Sequence, residues 1–146
     1  MKISFLGTSG YHPTESRQTM CIFLPEEGIL FDAGTGLHRT IGRVRTDRLD
    51  ILLSHAHLDH IVGLTYFLDV AHVHPLKKIH VYGEAAKLEA VRRHLFATDI
   101  FPKIPPAMEF VPLEEAGQGT TEMNIGDAKV RWIELEHPGG SVGYRL

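Results

Sequence analysis

The stretch "SHAHLDH", residues 54–60, constrains this chain more than any other feature of the sequence. It places three histidines and one aspartate within six positions, directly after the apolar run "LDILL". His55 and His57 are two residues apart, so in an extended backbone both side chains leave from the same face. On a helix the same spacing would separate them by about 200°. The stretch therefore predicts a strand end or a loop in which two imidazoles can reach one point.

Histidine and aspartate in this pattern are typical of a site for Zn²⁺, and also suit Mn²⁺ or Fe²⁺. Asp59 and His60 are adjacent, so both cannot reach the ion that His55 and His57 bind without strain. They can serve a second ion if the chain turns into a helix there, and two ions about 3.5–4 Å apart form a common hydrolytic arrangement. The alternative is a histidine-rich loop without metal. A predicted strand before the stretch and a predicted helix after it favour the metal site.

Length and charge limit what the rest of the chain can do. A chain of 146 residues can bury a core of its own, and we expect a single domain over residues 1–146. With a formal net charge of -3, the chain lacks the strong excess of basic residues that is typical of nucleic-acid-binding proteins. One cysteine, Cys21, excludes an internal disulfide framework, and no apolar run is long enough to cross a membrane. We therefore expect a cytoplasmic protein without a membrane partner.

Strand-like and helix-like segments alternate along the chain and predict a mixed α/β layered domain. Helical spacing is found over residues 58–70 and 84–97, and prolines break the segment 98–108 into a loop. The strand-like runs are "KISFLG", "TMCIFLPEEGILFDAG" (two strands joined by a turn), "LDILLS", "KKIHVYG", "MEFVPL", "TEMNIG", "AKVRWIELE" and "SVGYRL".

Three motifs resemble the metallo-β-lactamase superfamily. "SHAHLDHIVGL" is similar to its His-x-His-x-Asp-His signature, "GILFDAGTG" to the preceding strand, and "EHPGGSVGYRL" to its next ligand motif. The opening "ISFLGTSG" and the Gly-Tyr-Arg ending resemble most the branch that contains ribonuclease Z and related phosphodiesterases. The resemblance implies an αββα sandwich, of which this chain matches only the N-terminal half or a truncated version.

The resemblance also implies a role for six residues. By this resemblance, His55, His57 and His137 would bind the first metal ion, and Asp59 and His60 would be the first ligands of a second ion site. Asp32 would support the histidine loop, as metal-bound imidazoles usually require. Two of these residues have simpler readings: Asp32 as a turn residue before Gly34, and His137 as a loop residue before Pro-Gly-Gly.

The family pattern needs two more ligands, an aspartate and a histidine, and "PGGSVGYRL" after His137 contains neither. Three explanations remain open. The chain is a fragment that lacks its C-terminal half, or a half that pairs with another chain as a homo-oligomer, or an enzyme with one ion held by three histidines and water. We favour the first two.

The function these features predict is metal-assisted hydrolysis, with Zn²⁺ as one or two ions per site. Asp59 would orient or deprotonate the attacking water. A phosphate diester, either a small molecule or RNA-derived, is the substrate class that the resemblance favours. A lactone, thioester or β-lactam is the alternative substrate. A non-catalytic metal-binding half-domain is the alternative function.

Overall fold

Two β-sheets form the frame of the computed structural model, which describes residues 1–97 and 99–146. The first sheet has six strands in chain order: β1 (Ser4–Gly7), β2 (Cys21–Leu24), β3 (Ile29–Phe31), β4 (Arg48–Leu52), β5 (Lys78–Gly83) and β6 (Met108–Pro112). β1 to β3 pair antiparallel, and β3 to β6 pair parallel. The second sheet is antiparallel, with β7 (Glu122–Ile125), β8 (Ala128–Leu135) and β9 (Ser141–Arg145). The predicted mixed α/β class is therefore confirmed.

Short helices fill the connections. They are a 3₁₀ helix (Thr35–Thr40), α1 (Leu58–Ile61), a second 3₁₀ helix (Val62–Tyr66), α2 (Phe67–Val73), α3 (Ala85–Ala90), a π-helical turn (Val91–Leu95) and α4 (Leu113–Ala116). The segment 58–70, predicted as a helix, is helical throughout, but a 3₁₀ turn divides it into two α-helical parts. The Gly63 amide donates to the Ala33 carbonyl at 2.7 Å instead of to its own helix, which interrupts the α-helical hydrogen bonds.

The first sheet is covered on both faces, which gives three layers. Leu49 and Ile51 of β4 belong to a core shared with the helices, whereas Leu52 belongs to a core shared with the second sheet. The alternation follows from the two-residue period of a strand. Nearly every residue of β4 is buried, as its continuous apolar run predicted. Cys21 is fully buried in the helix-side core, where burial raises the pKa of its thiol.

The proline-rich segment was predicted as a loop over 98–108. Thr98 lies outside the described residues, residues 99–107 are irregular, and β6 begins at Met108. Sequence analysis did not anticipate α4, a single turn directly before Gly117. In the part of the chain that the structure describes, none of the helices has the length and apolar content that a bilayer crossing requires.

Candidate metal centre

The candidate centre lies where two parallel strands end side by side. β3 ends at Phe31 and is followed by Asp32, and β4 ends at Leu52, two residues before Ser54. Because the strands are parallel and paired, with Phe31 opposite Leu52, their carboxyl ends meet at the same edge of the sheet. The Ser54 amide donates to Asp32 Oδ1 at 2.7 Å. The "DAG" and "SHAHLDH" stretches, far apart in sequence, are therefore neighbours.

Three histidines converge at this edge. His55, His57 and His137 each direct one ring nitrogen so that the three atoms lie within 4.8 Å of one another. His57 Nδ1 and His137 Nε2 are 3.2 Å apart, although the residues are 80 positions apart in sequence. His55 is buried, at 7% exposure, while His57 and His137 are exposed. Within residues 1–97 and 99–146, this is the single group of three or more histidine, cysteine or acidic side chains with such convergent atoms.

The spacing of these nitrogens fits a tetrahedral metal ion. Zinc–nitrogen bonds of 2.0–2.1 Å at tetrahedral angles separate two ligand nitrogens by about 3.3 Å. The 3.2 Å between His57 and His137 agrees with that separation. The donor set is also suitable, since neutral imidazole is a common zinc ligand. These three side chains can hold a divalent ion with little rearrangement.

Asp32 and Ser54 orient His55 and His60. Ser54 Oγ donates to Asp32 Oδ2 at 2.8 Å and lies 2.9 Å from His55 Nδ1. A hydroxyl that donates to Asp32 can accept from His55, which places the proton of neutral His55 on Nδ1 and leaves Nε2 free as a ligand. His60 Nδ1 donates to Asp32 Oδ2 at 2.8 Å in the same way. One carboxylate thus fixes two imidazole rings, which is what metal-binding histidines require.

The backbone of Asp32 adopts the left-handed conformation, with φ of 57°. Few residues other than glycine tolerate this region, but aspartate and asparagine are among them. This conformation ends β3 and turns the carboxylate towards Ser54. Asp32 is 6% exposed and satisfies several donors, so it is more than the turn residue that its position before Gly34 also suggested.

Burial and neighbouring charges shift the pKa values of His55 and His60 in opposite directions. Burial, with a smaller contribution from the nearby His60, lowers the pKa of His55 to about 4. Burial also lowers the pKa of His60, but the hydrogen bond and charge of Asp32, together with Asp59, outweigh it and leave that pKa raised. In the metal-free protein His55 is therefore neutral near pH 7, the state in which an imidazole can bind a metal ion.

Asp59 and His60 stand beside the three histidines rather than among them. Asp59 Oδ2 is 3.2 Å from His60 Nε2, and the two side chains are 12% and 17% exposed. The ring of His60 lies 4.1 Å from that of His55, centre to centre. The sequence predicted that this pair begins a second ion site, and the structure brings the pair together next to the first group. It remains a prediction that they bind an ion.

His137 reaches the centre from the other sheet, in the loop between β8 and β9. The Val142 amide donates to the Ser54 carbonyl at 2.8 Å, and Ser141 Oγ donates to the same carbonyl at 3.3 Å. Lys87 Nζ, at the start of α3, donates to the Gly139 carbonyl. Sequence analysis missed the roles of Ser54 and Lys87. Ser54 had a signal, a hydroxyl next to the motif, whereas nothing in the sequence links Lys87 to residues 52 positions away.

Comparison with known proteins identifies the relatives of this chain. The model of the β-lactamase superfamily domain matches residues 28–146. Ribonuclease Z of Haloarcula marismortui is 30% identical over 151 residues, covering 100% of this chain and 47% of that protein. Ribonuclease Z of Thermococcus kodakarensis is 29% identical, covering 99% of this chain and 46% of the relative. The chain spans about half the length of the curated relatives it matches.

Solved structures share the fold. The metallo-β-lactamase fold protein YhfI from Bacillus subtilis superposes with a TM-score of 0.71 at 18% identity, over 98% of this chain and 56% of that chain. A diphosphatase of the PhnP family gives a TM-score of 0.68 at 19% identity, over 98% and 61%. The predicted resemblance and fold are confirmed, with the chain matching the N-terminal half of the ribonuclease Z proteins.

Proposed function

Because this chain belongs to the β-lactamase superfamily, we propose that it is the metal-binding part of a hydrolase that cleaves phosphate diesters. The zinc centre of the proposal consists of His55, His57 and His137, with Mn²⁺ or Fe²⁺ as alternative ions. Asp32 supports the histidines, and Asp59 and His60 contribute to a second ion site. The curated relatives supply the substrate class, since those cited above are named ribonuclease Z.

One observation carries the proposal: three ring nitrogens from two different sheets lie within 4.8 Å of one another. The 3.2 Å between His57 Nδ1 and His137 Nε2 is the separation expected for two ligands of one ion.

Each residue of the centre has a defined task in the proposed reaction. His55, His57 and His137 would hold a divalent ion, which would supply a lowered pKa for a bound water molecule and polarisation of a phosphoryl oxygen. Asp59 Oδ2 lies 3.2 Å from His60 Nε2, and we propose it as the acceptor for the proton of the attacking water. Asp32, through Ser54 and directly, keeps His55 and His60 in the tautomers that expose Nε2.

Asp59 and His60 need further ligands before they can hold a second ion, and an open face of the sandwich lies next to them. The cavity there has a volume of about 750 Å³, and its lining includes His60 together with Ile3, Phe5, Leu135 and Leu146. It lies beside β1 and β9, the terminal strands of the two sheets. We infer that a polypeptide corresponding to the remaining length of the relatives covers this face and supplies the missing carboxylate and imidazole.

Metal analysis coupled to an activity assay tests the proposal. The purified chain is expected to retain zinc after dialysis, as measured by inductively coupled plasma mass spectrometry, and to hydrolyse bis(p-nitrophenyl) phosphate when the covering segment is present. His137→Ala should abolish zinc retention. The matched control is His72→Ala, which changes an exposed histidine of α2 and should retain zinc like the wild type.

The outcomes separate the candidate functions. Zinc with turnover supports the hydrolase. Zinc bound without turnover, in the presence of the covering segment, would instead support the non-catalytic metal-binding domain. Absence of zinc, Mn²⁺ and Fe²⁺ binding in the wild type would defeat both.

A further inference from the structure

The loop that carries His137 contains little to define its own position. Gly139 and Gly140 both have positive φ, 84° and 80°, a conformation that consecutive glycines reach easily but do not enforce. One hydrogen bond lies within the loop, from the Gly140 amide to the His137 carbonyl at 2.8 Å. His137, Pro138 and Gly139 are exposed. The orientation of the His137 ring therefore depends on contacts with other parts of the protein.

Two sets of contacts hold this loop, one through β9 and one through Lys87 of α3. On one side, β9 is attached to the Ser54 carbonyl through Val142 and Ser141, at 2.8 and 3.3 Å. On the other side, Lys87 Nζ donates to the Gly139 carbonyl, and a Cβ atom built on Gly140 would lie 3.6 Å from the same nitrogen. The Lys87 ammonium group therefore hydrogen-bonds to Gly139 and lies near Gly140.

Lys87 is well placed to act as a fixed support. It lies in the first turn of α3, which begins directly after β5, a strand paired on both sides. Its side chain is half-buried, so part of its rotamer entropy is already lost. A hydrogen bond from an ammonium group is stronger than one between neutral groups. The contact connects the helical layer to a loop of the second sheet.

We propose that Lys87 is a positioning residue: its ammonium group holds the loop 136–140 so that His137 Nε2 faces His57 Nδ1. The proposal rests on the proposed metal centre, for which it names the residue that brings the third histidine to the other two. Lys87 acts through the backbone of Gly139 and contacts none of the three rings.

The test replaces the ammonium group and keeps the length of the side chain. Lys87→Met is compared with Lys78→Met, a change at an exposed lysine at the opposite end of β5. In the metal-free protein, the ¹⁵N–¹H heteronuclear NOE of the Gly139 and Gly140 amides should fall for Lys87→Met alone. The dissociation constant for Co²⁺ should rise about tenfold, at the lower end of the effect of residues that orient metal ligands. Lys87→Arg should restore part of the affinity.

A merely structural contribution would lower the unfolding temperature of the metal-free protein and leave the ratio of Co²⁺ affinities unchanged. The proposal is overturned if Lys87→Met matches the wild type in both NOE and affinity. If the wild type binds no Co²⁺ while Lys87→Met still loosens the loop, the metal centre fails and the Lys87 contact stands. If the wild type binds Co²⁺ and the variant equals it in both measurements, the metal centre stands and the role of Lys87 fails.

Discussion

At the scale of single residues, Asp32, which directly follows β3, accepts the hydrogen bonds that orient the histidines. Its carboxylate receives hydrogen bonds from the Ser54 amide, the Ser54 hydroxyl and His60 Nδ1, at 2.7 to 2.8 Å. Its φ of 57° would be strained for most replacements. Any variant that removes the charge must therefore keep a side chain that tolerates this conformation, and asparagine does.

Asp32→Asn isolates the effect of the negative charge. We expect zinc affinity to fall about tenfold, because His60 loses its carboxylate acceptor and the Ser54 hydroxyl, which orients His55, loses the charge to which it donates. We also expect the pKa of His60 to fall, since Asp32 is a main cause of its elevation. Competition with a chromophoric chelator measures the affinity, and an NMR titration of the imidazole measures the pKa. Asp69→Asn, at an exposed position of α2, is the control, and equal affinities in the two variants would contradict the prediction.

The lowered pKa of His55 predicts how the metal-free protein responds to acid. Between about pH 6.5 and about pH 4 the unfolded chain binds a proton at this histidine and the native protein does not. The free energy of unfolding should therefore decrease as the pH falls through this window. His60 has the opposite sign: its raised pKa stabilises the protein below about pH 6.5, and this stability is lost as the pH rises through the raised value.

Urea unfolding of metal-free protein at several pH values measures this dependence. The decrease below pH 6.5 should be smaller in His55→Asn than in the wild type, and unchanged in His12→Asn, whose imidazole is on the exposed N-terminal loop. Identical pH profiles for the wild type and His55→Asn would show that His55 does not titrate differently in the two states.

At the scale of secondary structure, the close contact between the end of β3 and the segment after α1 sets the position of the histidine motif. The Ala33 amide donates to the His60 carbonyl at 2.8 Å, and the Gly63 amide donates to the Ala33 carbonyl at 2.7 Å. A Cβ atom on Gly63 would lie 2.3 Å from the Gly34 carbonyl oxygen. Only glycine fits there, so the chain can turn back against β3 and keep Asp59 and His60 at the strand end.

Gly63→Ala should destabilise the protein by about 1–3 kcal/mol, the usual effect of overpacking, because backbone atoms must move apart. Zinc affinity should fall as well, since the movement displaces the segment that carries Asp59 and His60. Thermal unfolding and chelator competition measure the two effects. Gly10→Ala is the matched control, because nothing lies within 4 Å of a Cβ at that position. A variant as stable as this control would contradict the close-contact argument.

Sequence patterns predicted where strands and helices occur better than where a helix is interrupted. The apolar run of β4 predicted a strand covered on both faces, because local composition reflects burial. The 3₁₀ interruption within the helix over 58–70 could not be predicted from amphipathic spacing. It depends on the hydrogen bond from the Gly63 amide to the Ala33 carbonyl, which is a tertiary contact. In the centre, the "SHAHLDH" spacing alone indicated a metal site. His137 required the family resemblance, because a contact 80 residues away has no local signal.

At the scale of the whole molecule, one side of the sandwich exposes strand edges and apolar side chains. β1 and β9 are terminal strands, and exposed apolar side chains lie along that side, among them Phe5 at 67%, Ile3 at 48% and Leu135 at 47%. Exposed strand edges next to apolar surface favour pairing with another polypeptide. In the absence of the covering segment, two copies of this chain are expected to shield these faces from water.

The purified chain should therefore self-associate, and Phe5→Ser should shift it towards the monomer. Light scattering coupled to size-exclusion chromatography measures the mass at several concentrations. Tyr11→Ser is the control, because Tyr11 is 84% exposed but does not line the open cavity. A wild-type chain that stays monomeric at high concentration, or equal behaviour of both variants, would contradict the expected pairing.

The division of the three imidazoles between two sheets has a consequence for the order of events during folding. His55 and His57 follow β4 in the first sheet, but His137 follows β8 and lies 80 positions after His57 in the sequence. A chain in which only the six-stranded sheet has formed offers two convergent rings and holds an ion weakly. Tight binding at the proposed centre must then wait until β8 and β9 have docked, so the ion would bind after the two sheets have come together rather than nucleate their contact.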